Sequence, residues 1–110
     1  MTDEEFDEHV RAALDSLPDD IADGLENVAV VVEEQSPDSA SILGSFIGYP
    51  HAYGTPAGAL PGKVVVYRRP LLAAFTDPDE LERQIRITVL HEVAHYFGIS
   101  EDRIDELGYG

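Results

Sequence analysis

The run His91-Glu92-Val93-Ala94-His95 combines residue types and spacing that can do chemistry. On an α-helix, positions four apart differ by about 400° of rotation, so the two imidazoles project from nearly one face, one turn apart. Both can reach a single Zn²⁺. Glu92 stands about 100° around from His91, which keeps it from being a ligand alongside the pair and leaves its carboxylate beside a metal-held water. That is the place of a general base, and the residues predict metal-assisted hydrolysis. In a chain of this composition H-E-x-x-H arises by chance on the order of 1% of the time, and requiring Gly98 as well lowers this to about a tenth of a percent.

A catalytic zinc takes three protein ligands and keeps a position open. The chain has no cysteine, so any metal must be held by histidine and carboxylate. Glu101 lies three residues past Gly98, and a sharp reversal at that glycine would return the chain toward the metal. Glu101 is therefore the leading third ligand. Asp102, Asp105 and Glu106 are rivals, since each stands in the same final segment, and a two-His site completed by water is the remaining alternative; each acid also reads as a solvated charge or a favourable carboxylate in a first helical turn. His51, Tyr49 and Tyr53 are candidates to stabilise a developing oxyanion, with loop packing the competing reading. His9, among charges on the first helix, reads as solvated. For His91, Glu92 and His95 the competing reading is that of satisfied core polar groups. Against it, each unpaired polar group in so apolar a helix would cost roughly 1 to 3 kcal/mol, a cost that a bound metal removes.

The helix that carries these groups is signposted at both ends. Asp77 fits the N-cap, Pro78 the first helical position, and Glu80 the third, where its side chain can reach back to the cap amide. Ile85, Ile87, Val89, Leu90, Val93, Ala94 and Phe97 leave almost no polar face in the second half, which must be buried on nearly all sides. Gly98 fits the left-handed position that ends a helix, and Ser100 can cap a last short helix containing Ile104 and Leu107.

Upstream, Thr2 and Glu5 have the form of a capping box, and Phe6, Val10, Ala13, Leu14 and Leu17 recur at helical spacing up to Pro18. A further turn around Ile21 and Leu25 precedes the β-branched run Val28–Val32, the first strand. Residues 36 to 62, rich in glycine and proline, read as loops and short extended pieces around Ile42–Gly48. Lys63–Arg68 reads as a second strand whose length Pro70 limits.

At 110 residues and 44% hydrophobic, the chain is expected to form one domain with one core. Its net charge of −15 repels phosphate backbones and anionic lipid, disfavouring nucleic-acid and membrane partners. The acidic residues are spread along the chain and read as a solvated surface, with a preference for basic partners the weaker alternative. An acidic N-terminus and the lack of an apolar run of membrane-spanning length make the cytoplasm the expected location.

Three stretches also resemble a family: Leu43–Gly48, Leu60–Leu71, and His91–Glu101, the last being the most specific. Together they resemble the small bacterial zincin-like metallopeptidases. The resemblance implies an α+β, minimal zincin-like fold, with a small mixed β-sheet packed on an N-terminal helix and on the central H-E-x-x-H helix. It also implies His91 and His95 as metal ligands and Glu92 as base. The spacing through Glu101 is that of the metzincins, with Glu in place of their third His. Met1 is the only methionine, so the chain has no Met-turn. The expected activity is that of a zinc peptidase acting on a peptide or protein substrate, paired with an edge strand at 42–48 or 63–68. The alternative is a non-catalytic metal-binding or protein-interaction module on the same fold. Fe²⁺, Mn²⁺ and Co²⁺ share this ligand chemistry with zinc.

Overall fold

A computed structural model describes residues 1–25, 28–48 and 62–106 of the chain. Helix α1 spans Asp3–Asp15. Its start is a complete capping box: the Glu5 amide donates to Thr2 Oγ1 at 3.1 Å and the Thr2 amide donates to Glu5 Oε1 at 3.0 Å. Phe6, Val10 and Ala13, at steps of four and three, form its buried face. The short helix α2 covers Asp19–Gly24.

Three strands form one mixed sheet: β1 (Ala29–Glu33), β2 (Gly44–Ile47) and β3 (Lys63–Tyr67), in the order β1-β3-β2. β3 pairs in parallel with β1, Val30 opposite Val64, and antiparallel with β2, Phe46 opposite Val64. Flanked on both sides, β3 is buried from Val64 to Tyr67, which its continuous β-branched run anticipates. The expectation that residues 63–68 offer a free edge for peptide is therefore corrected: among the described residues β2 and β1 are the edges.

The strand reading is also corrected at its end. The chain leaves the sheet after Tyr67 and enters a helix, α3 (Arg68–Ala74). Pro70 sits in its first turn, where a missing N–H costs no intrahelical bond. Arg68 points back across the fold, facing Asp3, Asp7 and Glu34, with its guanidinium 5.4 Å from the Phe6 ring centroid. Its Nε lies 3.3 Å from Asp3 Oδ1, within ion-pair reach but off a hydrogen-bonding direction. One side chain thus joins the start of α1, the end of β1 and the end of β3.

Helix α4 (Pro78–Tyr96) is the longest element, and a short α5 (Glu101–Glu106) follows it. Leu81, Ile85, Val89 and Val93 of α4 pack with Phe6, Val10 and Ala13 of α1 and with Val66 and Leu71 to form the core. From Thr88 to Phe97 no residue of α4 or its C-cap is exposed, as the apolar sequence requires. The architecture is α+β, a small mixed sheet backed by α1 and α4. No helix among the described residues is long and apolar enough to cross a membrane.

Candidate metal centre

The cap of α4 is only partly as its sequence suggests. Asp77 Oδ2 accepts from the Glu80 amide at 3.0 Å, with Pro78 in the first turn. The Glu80 carboxylate does not return to the cap. It accepts from Arg83, at 3.1 Å from both Nε and Nη2, and from Gln84 Nε2 at 2.8 Å. A guanidinium one turn away competes better for a carboxylate than a lone amide does.

The far end carries the site. His91 and His95 stand one turn apart with ring centroids 4.7 Å apart. Phe97 caps the helix, and Gly98 takes φ 75°, the left-handed region that favours glycine. The Gly98 amide donates to the His95 carbonyl at 3.0 Å and the Ile99 amide to the Ala94 carbonyl at 3.0 Å, the paired bonds of a Schellman turn. Ser100 then caps α5, its Oγ accepting from the Arg103 amide at 3.3 Å.

This reversal delivers Glu101 to the histidines. Its Oε1 lies 2.8 Å from His95 Nε2 and 3.6 Å from His91 Nε2. Among the rivals, Glu106 pairs with Arg103 at 3.0 Å, and Asp102 and Asp105 stand exposed on α5. The imidazole side chains are 23% and 32% exposed, enough for a ligand to approach.

Glu92 is only 8% exposed. A ligating atom of Glu92 and one from each of His91 and His95 lie within 4.8 Å of one another. Burial pushes the Glu92 carboxyl above its ordinary range, His95 and His91 oppose the shift, and Glu101 adds to it. The site therefore holds two imidazoles, one secluded carboxylate and one open to solvent.

One contact at this site was not anticipated from sequence. β2 crosses α4 so closely that a Cβ at Gly44 would lie 2.7 Å from Thr88 Cγ2 and 3.1 Å from both Glu92 Cγ and the Val65 carbonyl oxygen. Only a residue without a side chain lets the strand lie against the stem of Glu92. A glycine at the start of a strand was the available signal, since it marks close backbone approach. Phe46, two residues on, meets Tyr96 edge to face at 5.4 Å. His9 is remote from the site. It stands on α1 with its side chain 28% exposed, its Nδ1 3.8 Å from Glu82 Oε1. His51, Tyr49 and Tyr53 lie outside the described residues.

The model of the zincin-like metallopeptidases matches residues 25–110, which include the sheet, α4 and α5. The chain belongs to the zincin-like metallopeptidase family. Among solved structures, this zincin-like chain is similar to a conserved hypothetical protein from T. thermophilus. The two are 26% identical, with a TM-score of 0.61 and 97% of each chain covered. That coverage extends the likeness to α1, which precedes the span of the family match. No curated protein matches the chain.

Membership implies a metal ion, and the zincin-like site has donors that fit one. Oxygen and nitrogen donors separated by 2.8 and 3.6 Å bracket the about 3.3 Å expected between two atoms bound tetrahedrally at about 2.0 Å. The donor set, imidazole and carboxylate without thiolate, suits zinc that keeps a position open.

Proposed function

We propose that this chain is a zinc-dependent peptidase in which His91, His95 and Glu101 hold Zn²⁺ and Glu92 is the general base. The observation that carries the reading is the convergence of Glu101 Oε1 on both imidazole nitrogens, with Glu92 secluded beside them. When bound, the ion supplies Lewis-acid activation of water and of the scissile carbonyl.

The chain's own groups supply the rest. The Glu92 carboxylate accepts a proton from the attacking water as the C–O bond forms, and returns it to the amine as the C–N bond breaks. Its raised affinity for protons brings it closer to that shuttle role than an exposed glutamate. The Gly44 contact holds its stem between β2 and α4. β2, an edge strand flanking the same helix, supports an extended peptide substrate running alongside it. The seclusion of Glu92 favours an enzyme over a metal-binding module, because a purely structural site has no use for a buried base.

The test compares zinc-loaded wild type with zinc-loaded Glu92→Gln on a peptide library. The expected result is cleavage by wild type alone, with one zinc held by each. Equal, background-level signals from both proteins would remove the peptidase reading.

A further inference from the structure

Among the described residues no strand pairs with the outer edge of β1. The Ala29 amide donates inward to the Gly62 carbonyl at 3.1 Å, so the alternation of a strand sends the amides and carbonyls of Val30 and Val32 outward. The side chains are open too. None from Ala29 to Glu33 is buried, whereas Val64, Val65 and Val66 of β3 are at most 1% exposed. A groove of about 410 Å³ runs between α1 and this edge, its apolar walls formed by Val10 and Leu14 on one side and by Val30, Val31 and Val32 on the other.

An edge of this kind is completed by another strand, and charge decides whose. At net charge −15, a second copy is repelled from most of the surface. The balance differs at β1, where Arg11, Lys63, Arg68 and Arg69 gather, leaving only Arg83, Arg86 and Arg103 for the rest of the chain. Lys63 holds Glu33 at 3.1 Å, Arg68 faces Asp3, Asp7 and Glu34, Arg69 lies 3.5 Å from Glu34, and Arg11 stands exposed on the groove wall. With its acids answered inside the chain, this edge has little to attract a basic peptide and little to repel a copy of itself. A second copy also brings its strand already ordered, which spares the entropy that an unstructured segment would lose.

We propose that two copies of the chain join through β1, as an antiparallel pair about a twofold axis at Val31, merging their three-stranded sheets into one. In this register Val30 of each copy lies opposite Val32 of the other, and their outward amides and carbonyls pair. Val31 meets its own counterpart with Cα atoms about 4.5 Å apart, the spacing of a non-hydrogen-bonded pair. Glu33 falls opposite Ala29, so no like charges face each other across the ladder. The β2 edges and the metal centres stay at the two far ends, clear of the joint.

The chain has no cysteine, so one introduced thiol reports one position. Under mild oxidation Val31→Cys should form a covalent dimer, because its Cα spacing at the axis lies within disulfide range. Ala29→Cys should not, because its two thiols stand about 14 Å apart along the ladder. Sedimentation equilibrium of wild type should show the mass rising from one chain of 12.0 kDa toward twice that value with concentration. Val31→Lys and Val31→Glu, each checked for fold by circular dichroism, should be monomeric alone and dimeric when mixed.

Wild type that stays monomeric at millimolar concentration overturns the proposal, as does equal cross-linking of the two cysteine variants. Dimers whose Val31→Cys thiols stay free also overturn it, and so does a folded Val31→Lys that still self-associates. Monomeric wild type whose Val30 and Val32 amide resonances shift on adding end-blocked Lys-Val-Val-Val-Lys would give the edge to an extended peptide in place of a second copy.

Discussion

His95 Nε2 and Glu101 Oε1 lie 2.8 Å apart although they belong to different helices, α4 and α5, that are joined through the left-handed Gly98. The contact exists because the Schellman turn folds α5 back onto the open face of α4. The acidic oxygen reaches the histidines from outside the helix that carries them. Glu101 itself is exposed, outside the buried core.

Replacing Glu101 with Ala is expected to leave the fold intact and to weaken zinc binding by more than about 100-fold. Loss of a partner one shell further out already costs 10- to 100-fold. Competition with a chelator of known affinity measures it. Unchanged affinity would remove Glu101 from the ligand set.

Gly98→Ala should destabilise the protein by about 1 to 2 kcal/mol. Nothing lies within 4 Å of the added Cβ, so the cost comes from the left-handed backbone alone. Urea unfolding reads the loss. Zinc affinity should fall with it, since the same turn aims Glu101; a stability change with no change in zinc affinity would separate the turn from the ligand.

At Gly44 the expected effect of Ala is about 1 to 3 kcal/mol of overpacking, because the new methyl meets Thr88 Cγ2 and the Glu92 stem. Thr88→Ser removes that Cγ2 while keeping the hydroxyl that donates to the Gln84 carbonyl. Thermal unfolding of the double variant should recover part of the stability lost in Gly44→Ala alone. Strictly additive losses would contradict the contact.

The pH dependence of metal-free protein carries the sign of the Glu92 shift. A carboxyl whose folded pKa is raised by burial favours unfolding as pH rises through its unfolded value near 4.5, until the penalty is complete above the folded pKa. Metal-free Glu92→Gln should therefore be more stable than metal-free wild type at neutral pH. The gap should shrink as pH falls toward 4.5, and denaturant titrations across that range measure it. A constant gap would mean that charge burial is not its cause.

Glu5 shows the opposite sign. Hydrogen bonds from the Thr2 backbone and side chain lower its pKa below 4.5, so the stability it lends is present above that value and is lost as pH falls through the folded pKa. Wild type should lose more stability than Glu5→Gln over that window. Parallel acid titrations of the two, followed by circular dichroism, check it.

Much of α4 was legible because its signals are local. A cap at Asp77, Pro78 behind it, an apolar second half and Gly98 at the end are properties of neighbouring residues, and His91, Glu92 and His95 inherit their placement from helical geometry. Helix α3 was hidden, because Pro70 after a β-branched run reads equally as the stop of a strand and as the first turn of a helix. Glu80 was half-read for a related reason: the cap amide and Arg83 compete for one carboxylate, and only the final rotamers decide between them.

By itself, then, the sequence determined the α+β class, the pair of imidazoles one turn apart on α4 and the secluded glutamate beside them. Tertiary structure alone decided that β3 is central and β2 an edge, that Gly44 lies on Glu92, and that Glu101 is the α5 acid that meets the imidazoles. The physical reason is range. A helix repeats its geometry every few residues, whereas strand order and the return of α5 depend on packing between segments that a linear pattern does not connect.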